Sequence, residues 1–260
     1  MSDPKLPRIG RRNVAALIPA YFEARCIGEV ARRTLVQVDH VLVLDDGSTD
    51  ATSAEALKAG AEVIRHTVNQ GKGAAIKSGL HALGSRPGLE YIVLLDGDGQ
   101  HLPEEIPRFF DEANRAYPPM IVGNRMSDVK TMPFVRKLTN RWMSSQISGV
   151  CRQRIPDTQC GFRMVRRDLA PLLAECKSSQ FDYETEMLVL ASRQNCRIAS
   201  VPVSTVYGAE ISKIVDGLTK ISSVMDTNTS QQAENFKKIL LTLTDDPRVI
   251  LIKLADRLHN

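Results

Sequence analysis

Two carboxylates separated by a single glycine, Asp96 and Asp98, follow directly after an apolar segment at residues 91–95. Side chains that leave a buried strand together can converge on one hard divalent cation, and Mg2+ and Mn2+ favour oxygen ligands. A site with so few protein ligands leaves room for diphosphate oxygens, whose developing charge the cation would neutralise. Asp and Gly are also favoured turn residues, so this motif alone is equally compatible with a polar turn.

A second acidic pair, Asp45 and Asp46, lies at the end of the apolar segment formed by residues 40–44. Asp46 can accept a hydrogen bond from a ribose or a base, whereas Ser48 and Asp50 can cap the helix that follows. Capping accounts for at least one of Ser48 and Asp50. It does not account for two adjacent carboxylates, because their mutual repulsion needs compensation.

The loop after the first apolar segment contains Pro19, Tyr21 and Glu23. Tyr21 can stack near a base, and Glu23 can accept a hydrogen bond from a base or a ribose. On this fragment alone, a loop whose aromatic side chain packs on the domain surface is the simpler interpretation.

The sequence NQGKG at residues 69–73 is similar to part of a phosphate-binding loop, but Lys72 is followed by Gly73 and not by Ser or Thr. Gly60 also lies too far upstream for the G-x-x-x-x-G-K spacing, which excludes that motif. We predict instead that Gly71 and Gly73 begin a helix and let the backbone approach a ligand, with Lys72 near a nucleotide.

An alternation of strand and helix patterns positions these motifs. Apolar segments predict strands at residues 14–18, 40–44, 61–65 and 91–95, and helical periodicity predicts helices at residues 27–36, 50–57, 73–83 and 103–116. This alternation predicts an α/β fold with a mostly parallel sheet covered by helices on both faces. In such sheets ligands gather beyond the carboxyl ends of the strands, which is where the acidic motifs lie.

The composition is typical of a globular protein with one large α/β domain, alone or with an appendage: 260 residues, 43% hydrophobic and 25% charged. No apolar run is long enough to cross a bilayer, and the basic N-terminus lacks the apolar core of a signal peptide. We therefore expect the catalytic part to face the cytosol. The five cysteines include no C-x-x-C pair, so their spacing fits neither a zinc site nor a disulfide framework.

Positive charge is concentrated in residues 115–167, which contain eleven basic residues and two acidic ones. Such a block can bind nucleic acid, an anionic membrane or a phosphorylated substrate. Nucleic acid ranks last, because the block has little aromatic interleaving and no nucleic-acid motif. Within it, residues 132–150 place Trp142 and other apolar residues at helical spacing among basic ones. This pattern predicts either an interfacial helix beside an anionic lipid surface or a solvated helix packed on the core.

Taken together, the motifs resemble the family-2 glycosyltransferases with a GT-A fold, and more narrowly the dolichyl-phosphate mannose synthase group. The resemblance covers about residues 12–214 and is specific only as a set. Its matching pieces are PAYFE at 19–23, DDGSTD at 45–50, NQGKG at 69–73, DGDGQH at 96–101, GNR at 123–125, DTQCGFR at 157–163, FDYETE at 181–186, VYG at 206–208 and SKI at 212–214.

The resemblance implies inverting transfer of a hexose from a nucleotide sugar, of the GDP-mannose or UDP-glucose type, to a polyprenyl (dolichyl or undecaprenyl) phosphate. It implies a peripheral enzyme at the cytoplasmic face of a membrane. It also implies a nucleotide pocket and a Mg2+ or Mn2+ site. The nucleoside pocket comprises Pro19, Tyr21, Glu23 and Asp46, with Lys72 close by. Asp96 and Asp98 of the Asp96-Gly97-Asp98 turn hold the metal, and Gln100 lies beside the sugar or the metal.

Further residues follow from the same resemblance. Arg125, Arg163 and Lys213 are expected to recognise phosphate, since arginine suits bidentate contact. A neutral hydroxyl acceptor requires a general base, whereas a lipid phosphate is already an anionic nucleophile. Asp157 and Glu184 can serve as a base or position the acceptor, or each can pair with a neighbouring arginine.

Two alternatives remain open. The acceptor can be a saccharide hydroxyl in place of a lipid phosphate, as in many family-2 enzymes. A different class is a nucleotide-binding regulatory fusion without transferase activity.

The resemblance ends after residue 214. Residues 215–260, and above all LADRLHN at 254–260, resemble part of the HD-type hydrolase domain of the (p)ppGpp synthetase/hydrolase family. There Asp256 would be a metal ligand and Asn260 would contact the nucleotide, but the histidine ligands of that site have no counterpart here. We predict no hydrolase activity, because one ligand cannot hold the metal. The expected organisation is a basic extension at 1–11, a transferase domain at 12–214 and a helical fragment at 215–260.

Overall fold

A seven-stranded mixed sheet forms the centre of the computed structural model, which describes residues 6–127, 134–178 and 183–204. All of these residues belong to one compact unit. The strand order is β3-β2-β1-β4-β6-β5-β7. The strands are β1 (Val14–Ala20), β2 (His40–Asp45), β3 (Glu62–Arg65), β4 (Tyr91–Leu94), β5 (Met120–Asn124), β6 (Arg163–Arg166) and β7 (Ile198–Pro202).

Only β6 runs against its neighbours in this sheet: it is antiparallel to β4 and to β5, and the other adjacent pairs are parallel. The predicted mostly parallel sheet is confirmed. The four strands expected from the first half of the sequence match β1 to β4 to within two residues at each end.

Helices connect the strands, and the described ones are α1 (Ile27–Gln37), α2 (Thr52–Lys58), α3 (Lys72–Gly84), α4 (Ile106–Ala116), α5 (Phe134–Cys151), α6 (Ala170–Ala174) and α7 (Tyr183–Arg193). The helix predicted from residue 103 begins as a 3-10 turn, Pro103–Glu105, and continues as α4. The other three predicted helices correspond to α1, α2 and α3.

The core explains why the central strands are continuous apolar runs. All five residues from Val14 to Ile18 are 0% exposed. Because successive side chains of a strand point to opposite faces, burial of every residue requires cover on both faces of the sheet. Helices packed on both sides provide it, as the sequence predicted.

The direction of each strand decides which loops meet. The carboxyl ends of β1, β2, β4 and β5 lie at one edge of the sheet. Because β6 runs the opposite way, its first residue, Arg163, and the loop before it lie at that same edge. The acidic motifs and the 157–163 segment are thereby brought to the same edge of the sheet.

The structure tests the predictions about the membrane and about the C-terminal segment only in part. Among the described helices, none is both long and apolar enough to cross a membrane. The side chain of Trp142 on α5 is 64% exposed and that of Val150 66%, whereas Ile147 is buried. The interfacial role of this helix stays a prediction. Lys213, Asp256, Asn260 and the whole 215–260 segment lie outside the described residues.

Candidate functional site

An open pocket of about 360 Å3 lies at the carboxyl edge of the sheet, between the ends of β1, β2 and β4 and the start of α3. Its volume is in the range of small-molecule sites. Eight predicted site residues line it: Pro19, Tyr21, Glu23, Asp46, Lys72, Asp96, Gly97 and Asp98. Five others do not line it, namely Gln100, Arg125, Asp157, Arg163 and Glu184.

The acidic turn after β4 is fixed by its own hydrogen bonds. The Asp98 carboxylate accepts the Gln100 backbone N–H at 2.9 Å. The Asp96 backbone N–H donates to His101 Nδ1 at 3.1 Å, and the His101 ring stacks on Phe162 with a centroid distance of 5.1 Å. The polar turn expected as the alternative is therefore present, and it holds both carboxylates at the pocket.

Negative charge accumulates in this pocket, and the pKa values respond to it. Burial raises the pKa of Asp98, and the neighbouring Asp96 carboxylate adds to the shift. Burial, followed by the charges of Asp98, Asp96 and Asp50, raises the pKa of Glu23 to about 7. A cation between these groups would be strongly favoured.

The two carboxylates of the turn suit a divalent cation that has few protein ligands. Within residues 6–127, 134–178 and 183–204, no group of three or more His, Cys, Asp or Glu side chains could hold a metal. A cation at Asp96 and Asp98 would therefore complete its shell with water or diphosphate oxygens, which is the manner in which Mg2+ usually binds. The donor set fits that chemistry.

Lys72, the first residue of α3, lies between two carboxylates. Its Nζ is 2.7 Å from Asp96 Oδ1 and 2.7 Å from Glu184 Oε1 in the first turn of α7. Burial lowers the pKa of Lys72, but the two carboxylates outweigh that effect and raise it overall. Burial likewise raises the pKa of Asp96, and the Lys72 ammonium reverses this shift so that the pKa is lowered. Helix α3 begins at this lysine directly after Gly71, as the sequence predicted.

Gly161 packs against the Asp96 and Glu184 carboxylates. No role in the site was predicted for it from the sequence. A Cβ atom on this residue would lie 3.0 Å from Asp96 Oδ2 and 3.1 Å from Glu184 Oε1. Both carboxylates thus approach the backbone as closely as a glycine permits. The DTQCGFR motif contains Gly161, but the sequence does not indicate that Asp96 and Glu184 lie next to it.

The Asp46 carboxylate organises the loop that borders the pocket. It accepts the backbone N–H of Gln70 at 3.0 Å and that of Gly71 at 2.7 Å. His66 Nδ1 lies 2.6 Å from Asp46 Oδ1, and His66 Nε2 lies 2.9 Å from the Ser78 hydroxyl. Since a carboxylate can only accept, His66 donates to Asp46 through Nδ1. His66 is a second residue that sequence reasoning missed.

The repulsion expected between the two adjacent acids is relieved by separate partners. Asp45 accepts the Ser48 N–H at 2.9 Å and also the Ser53 hydroxyl. Asp46 is occupied by the loop described above. Each carboxylate is therefore stabilised by its own set of donors, which permits both to be almost fully buried.

The predicted capping residues divide their roles. Asp50 Oδ1 accepts the N–H of Thr52, the first residue of α2, at 3.0 Å. The Ser48 hydroxyl instead accepts the N–H of Phe22 at 3.0 Å, and so ties the loop after β1 to the loop after β2. Tyr21 in that loop is 45% exposed at the pocket, and its ring meets Phe22 edge to face at 4.5 Å.

Arg125 and Asp157 form a buried ion pair. Arg125 Nε and Nη2 donate to the two Asp157 oxygens at 2.8 Å and 3.0 Å, and the Arg125 backbone N–H donates at 3.1 Å. Gln159 N–H adds a fourth bond at 3.2 Å. Asp157 is 1% exposed. Of the two roles that the sequence left open for Asp157, the structure places it in the pairing arrangement with an arginine.

Arg163 is buried at the start of β6 and bonded to backbone carbonyls. Nε donates to Cys160 O at 2.8 Å, Nη2 donates to Thr158 O at 3.0 Å, and Nη1 donates to Glu184 O. The guanidinium therefore joins the 157–163 loop to α7. Its predicted contact with phosphate stays a prediction, and its present geometry is that of a residue positioning the loop.

A mostly parallel sheet with acidic residues at its carboxyl edge is the arrangement expected of a GT-A glycosyltransferase. The sequence profile of glycosyl transferase family 2 matches residues 15–171, which is more than half of the chain. The chain belongs to this family. An HD domain profile matches residues 166–260, which confirms the second resemblance. That match begins at Arg166, the last residue of β6, and includes the whole of β7.

Relatives agree with this assignment. An uncharacterized protein of Methanocaldococcus jannaschii is 29% identical over 79% of this chain and 86% of its own length. The UDP-N-acetylglucosamine–dolichyl-phosphate N-acetylglucosaminyltransferase of Methanococcus voltae is 26% identical over 74% of this chain and 84% of its own. The glucosyl-3-phosphoglycerate synthase of Mycobacterium tuberculosis, crystallised with Mg2+ and uridine diphosphate, has a TM-score of 0.56 at 22% identity over 75% of this chain and 71% of that chain. This last likeness confirms the GT-A fold.

Proposed function

We propose that this glycosyltransferase moves a hexose, with inversion, from a nucleotide sugar to a polyprenyl phosphate of the dolichyl or undecaprenyl type. The observation that carries the proposal is the pocket at the carboxyl edge of the sheet. It brings together Asp46 after β2, the Asp96-Gly97-Asp98 turn after β4, and Lys72 at the start of α3. The nucleotide sugar is of the GDP-mannose or UDP-glucose type.

In this proposal Pro19, Tyr21, Glu23 and Asp46 border the nucleoside. Tyr21 offers an exposed ring for stacking, and Glu23 is less exposed to solvent than Tyr21. Asp96 and Asp98 would hold a divalent cation, which would neutralise charge at the leaving diphosphate. Gln100 lies on the same turn, within reach of the sugar or the metal, and Lys72 adds a positive charge beside the diphosphate.

The state of the two acids proposed as general bases favours a phosphate acceptor. Asp157 receives four N–H donors, including the Arg125 guanidinium, and Glu184 is paired with Lys72. Both carboxylates are thus already engaged by donors of this chain, and neither lines the pocket in which the sugar would be transferred. A hydroxyl acceptor needs such a base, whereas a phosphate monoester is already an anion and attacks without one. Arg125, Arg163 and Lys213 are the proposed phosphate-recognition residues.

The relatives support the same acceptor class. The Methanococcus voltae enzyme, by its name, uses dolichyl phosphate. Because a polyprenyl chain resides in a bilayer, we propose peripheral binding at the cytoplasmic membrane face, with α5 as the contacting helix. Transferase activity is assigned to residues 12–214, the basic extension is 1–11, and no hydrolase activity is assigned to 215–260.

The test is sugar transfer by the full chain with Mn2+ and a panel of nucleotide sugars, with and without a short polyprenyl phosphate in detergent. We expect one sugar donor to yield lipid-linked sugar, and we expect Asp98→Asn to abolish it. Glu29→Gln is the matched control, because it also neutralises one carboxylate but lies in an exposed ion pair on α1, outside the pocket.

The contrary outcomes are distinct. Transfer to a saccharide but not to polyprenyl phosphate would move the acceptor to a hydroxyl compound. Binding of a nucleotide sugar without any metal-dependent transfer or hydrolysis would favour a nucleotide-binding regulatory protein. Equal loss of activity in Glu29→Gln and Asp98→Asn would contradict a specific role of the acidic turn in transfer.

A further inference from the structure

A second pocket, of about 540 Å3, is formed where α5 and α7 end and β7 begins. Since β7 is parallel to β5, its first residue lies at the amino edge of the sheet, opposite the carboxyl edge described above. This second pocket is therefore separate from the proposed sugar-donor site. Its polar lining includes Arg152, Gln153, Ser192, Arg193, Asn195 and Arg197.

Positive charge dominates this pocket. Three of its lining residues are arginines and none is acidic. In the part of the chain that the structure describes, no ion pair involves Arg152, Arg193 or Arg197, and all three are exposed. Some exposed arginines elsewhere on the same unit have carboxylate partners, for example Arg32 with Glu29. The cluster thus carries uncompensated charge.

Helix dipoles account for only part of this charge. The carboxyl ends of α5 and α7 both meet at the pocket, and each carries about half a negative unit charge. Together they would balance one arginine. Two positive charges remain, and the three exposed arginines all line this one pocket.

The walls that carry the arginines are held in place. The side-chain amide of Gln153 donates to Cys196 O at 3.1 Å and accepts the Ile198 N–H at 3.0 Å. The Ser192 hydroxyl donates to Cys151 O at 2.5 Å and joins the ends of the two helices. A ligand would therefore meet a pre-formed backbone frame, and the loss of freedom on binding would be confined mainly to the exposed lining side chains.

We propose that this pocket binds phosphate groups that carry two or more negative charges, such as a phosphate monoester or a diphosphate. The planar guanidinium fork matches phosphate oxygens and makes paired, charge-assisted hydrogen bonds. The Asn195 side chain places a further N–H donor in the same lining. The phosphate can belong to a soluble molecule or to a lipid headgroup, and the chemistry of recognition is shared.

The experiment is calorimetric titration of the full chain with inorganic pyrophosphate in 150 mM NaCl and EDTA. EDTA suppresses metal-dependent binding at the acidic turn. We expect the triple variant Arg152→Gln/Arg193→Gln/Arg197→Gln to weaken binding at least about tenfold. Arg32→Gln, an exposed arginine on α1, is the control for general charge loss. Circular dichroism verifies that the variants fold.

A vesicle arm distinguishes the source of the phosphate. Co-sedimentation with vesicles containing phosphatidic acid, lost in the triple variant while pyrophosphate fails to bind the wild type, would assign a lipid headgroup. Pyrophosphate binding without vesicle binding would assign a soluble ligand. The proposal is overturned if the wild type binds neither probe, or if Arg32→Gln weakens binding as much as the triple variant.

Discussion

Replacing Arg125 with methionine removes one half of a buried ion pair and leaves the other half in place. Arg125 is 9% exposed and Asp157 is 1% exposed. Without the guanidinium, the Asp157 carboxylate keeps only the two backbone donors of residues 125 and 159. Breaking a buried pair in this way typically costs about 3–5 kcal/mol. We expect a loss of that size in the free energy of unfolding.

The measurement is urea denaturation of the full chain followed by circular dichroism, with wild type, Arg125→Met, Asp157→Leu and the double variant side by side. Replacing both partners by apolar residues removes the uncompensated charge, and such replacements are often neutral or stabilising. The double variant should therefore be more stable than Arg125→Met. The difference between the double variant and the summed single variants gives the coupling energy of the pair.

Two results would refute this reasoning. A loss below about 1 kcal/mol in Arg125→Met would mean that the pair behaves like an exposed one. A double variant less stable than either single variant would mean that each residue stabilises the fold through contacts other than the pair. A structural role also predicts that Asp157→Asn retains more activity than Asp98→Asn when both are assayed well below their unfolding midpoints.

Three further substitutions test the loops around the pocket. Gly47 has φ of +80°, and a Cβ there would lie 2.6 Å from the Val68 carbonyl carbon, so Gly47→Ala should lower the free energy of unfolding by at least about 1–3 kcal/mol in the same urea experiment. His66→Ala removes a charge-assisted hydrogen bond to Asp46, worth about 1.5–3 kcal/mol, and should raise KM for the nucleotide sugar about tenfold or more with a smaller change in kcat. An unchanged KM would contradict the positioning role. Gly161→Ala should weaken Mn2+ binding, because the added Cβ would displace the Asp96 carboxylate. Titration monitored by electron paramagnetic resonance measures this affinity, and an unaltered affinity would show that the backbone at residue 161 shifts to make room for the Cβ.

The first half of the fold was predictable because its strands are buried on both faces. Residues 14–18 and 40–44 are uninterrupted apolar runs, and such runs alternating with helices leave few arrangements. The strand β6 gave no such signal. It begins with Arg163, and arginine is ordinarily an exposed residue. Its burial is possible because three backbone carbonyls accept its N–H groups, and no pattern in the sequence announces those partners.

The candidate site shows the same division between local and distant information. The rule that ligands bind at the carboxyl ends of parallel strands was enough to group Asp46 with Asp96 and Asp98. It could not pair Lys72 with Glu184, which is 112 residues away along the chain. That pairing depends on how α7 packs against the start of α3, and packing is decided by the whole core. The sequence therefore predicted the members of the pocket better than their partners.

The charge balance of the pocket explains why a cation belongs in the proposed reaction. Glu23, Asp96 and Asp98 all line it, and Lys72 is the one basic residue among its lining residues. The diphosphate of a nucleotide sugar would add further negative charge a few ångströms from these carboxylates. Like charges at such distances repel by about 1 kcal/mol in water and by several in a partly buried site. A divalent cation bound by Asp96 and Asp98 would offset this repulsion, so that the same acids that would repel a nucleotide sugar would hold it through the cation.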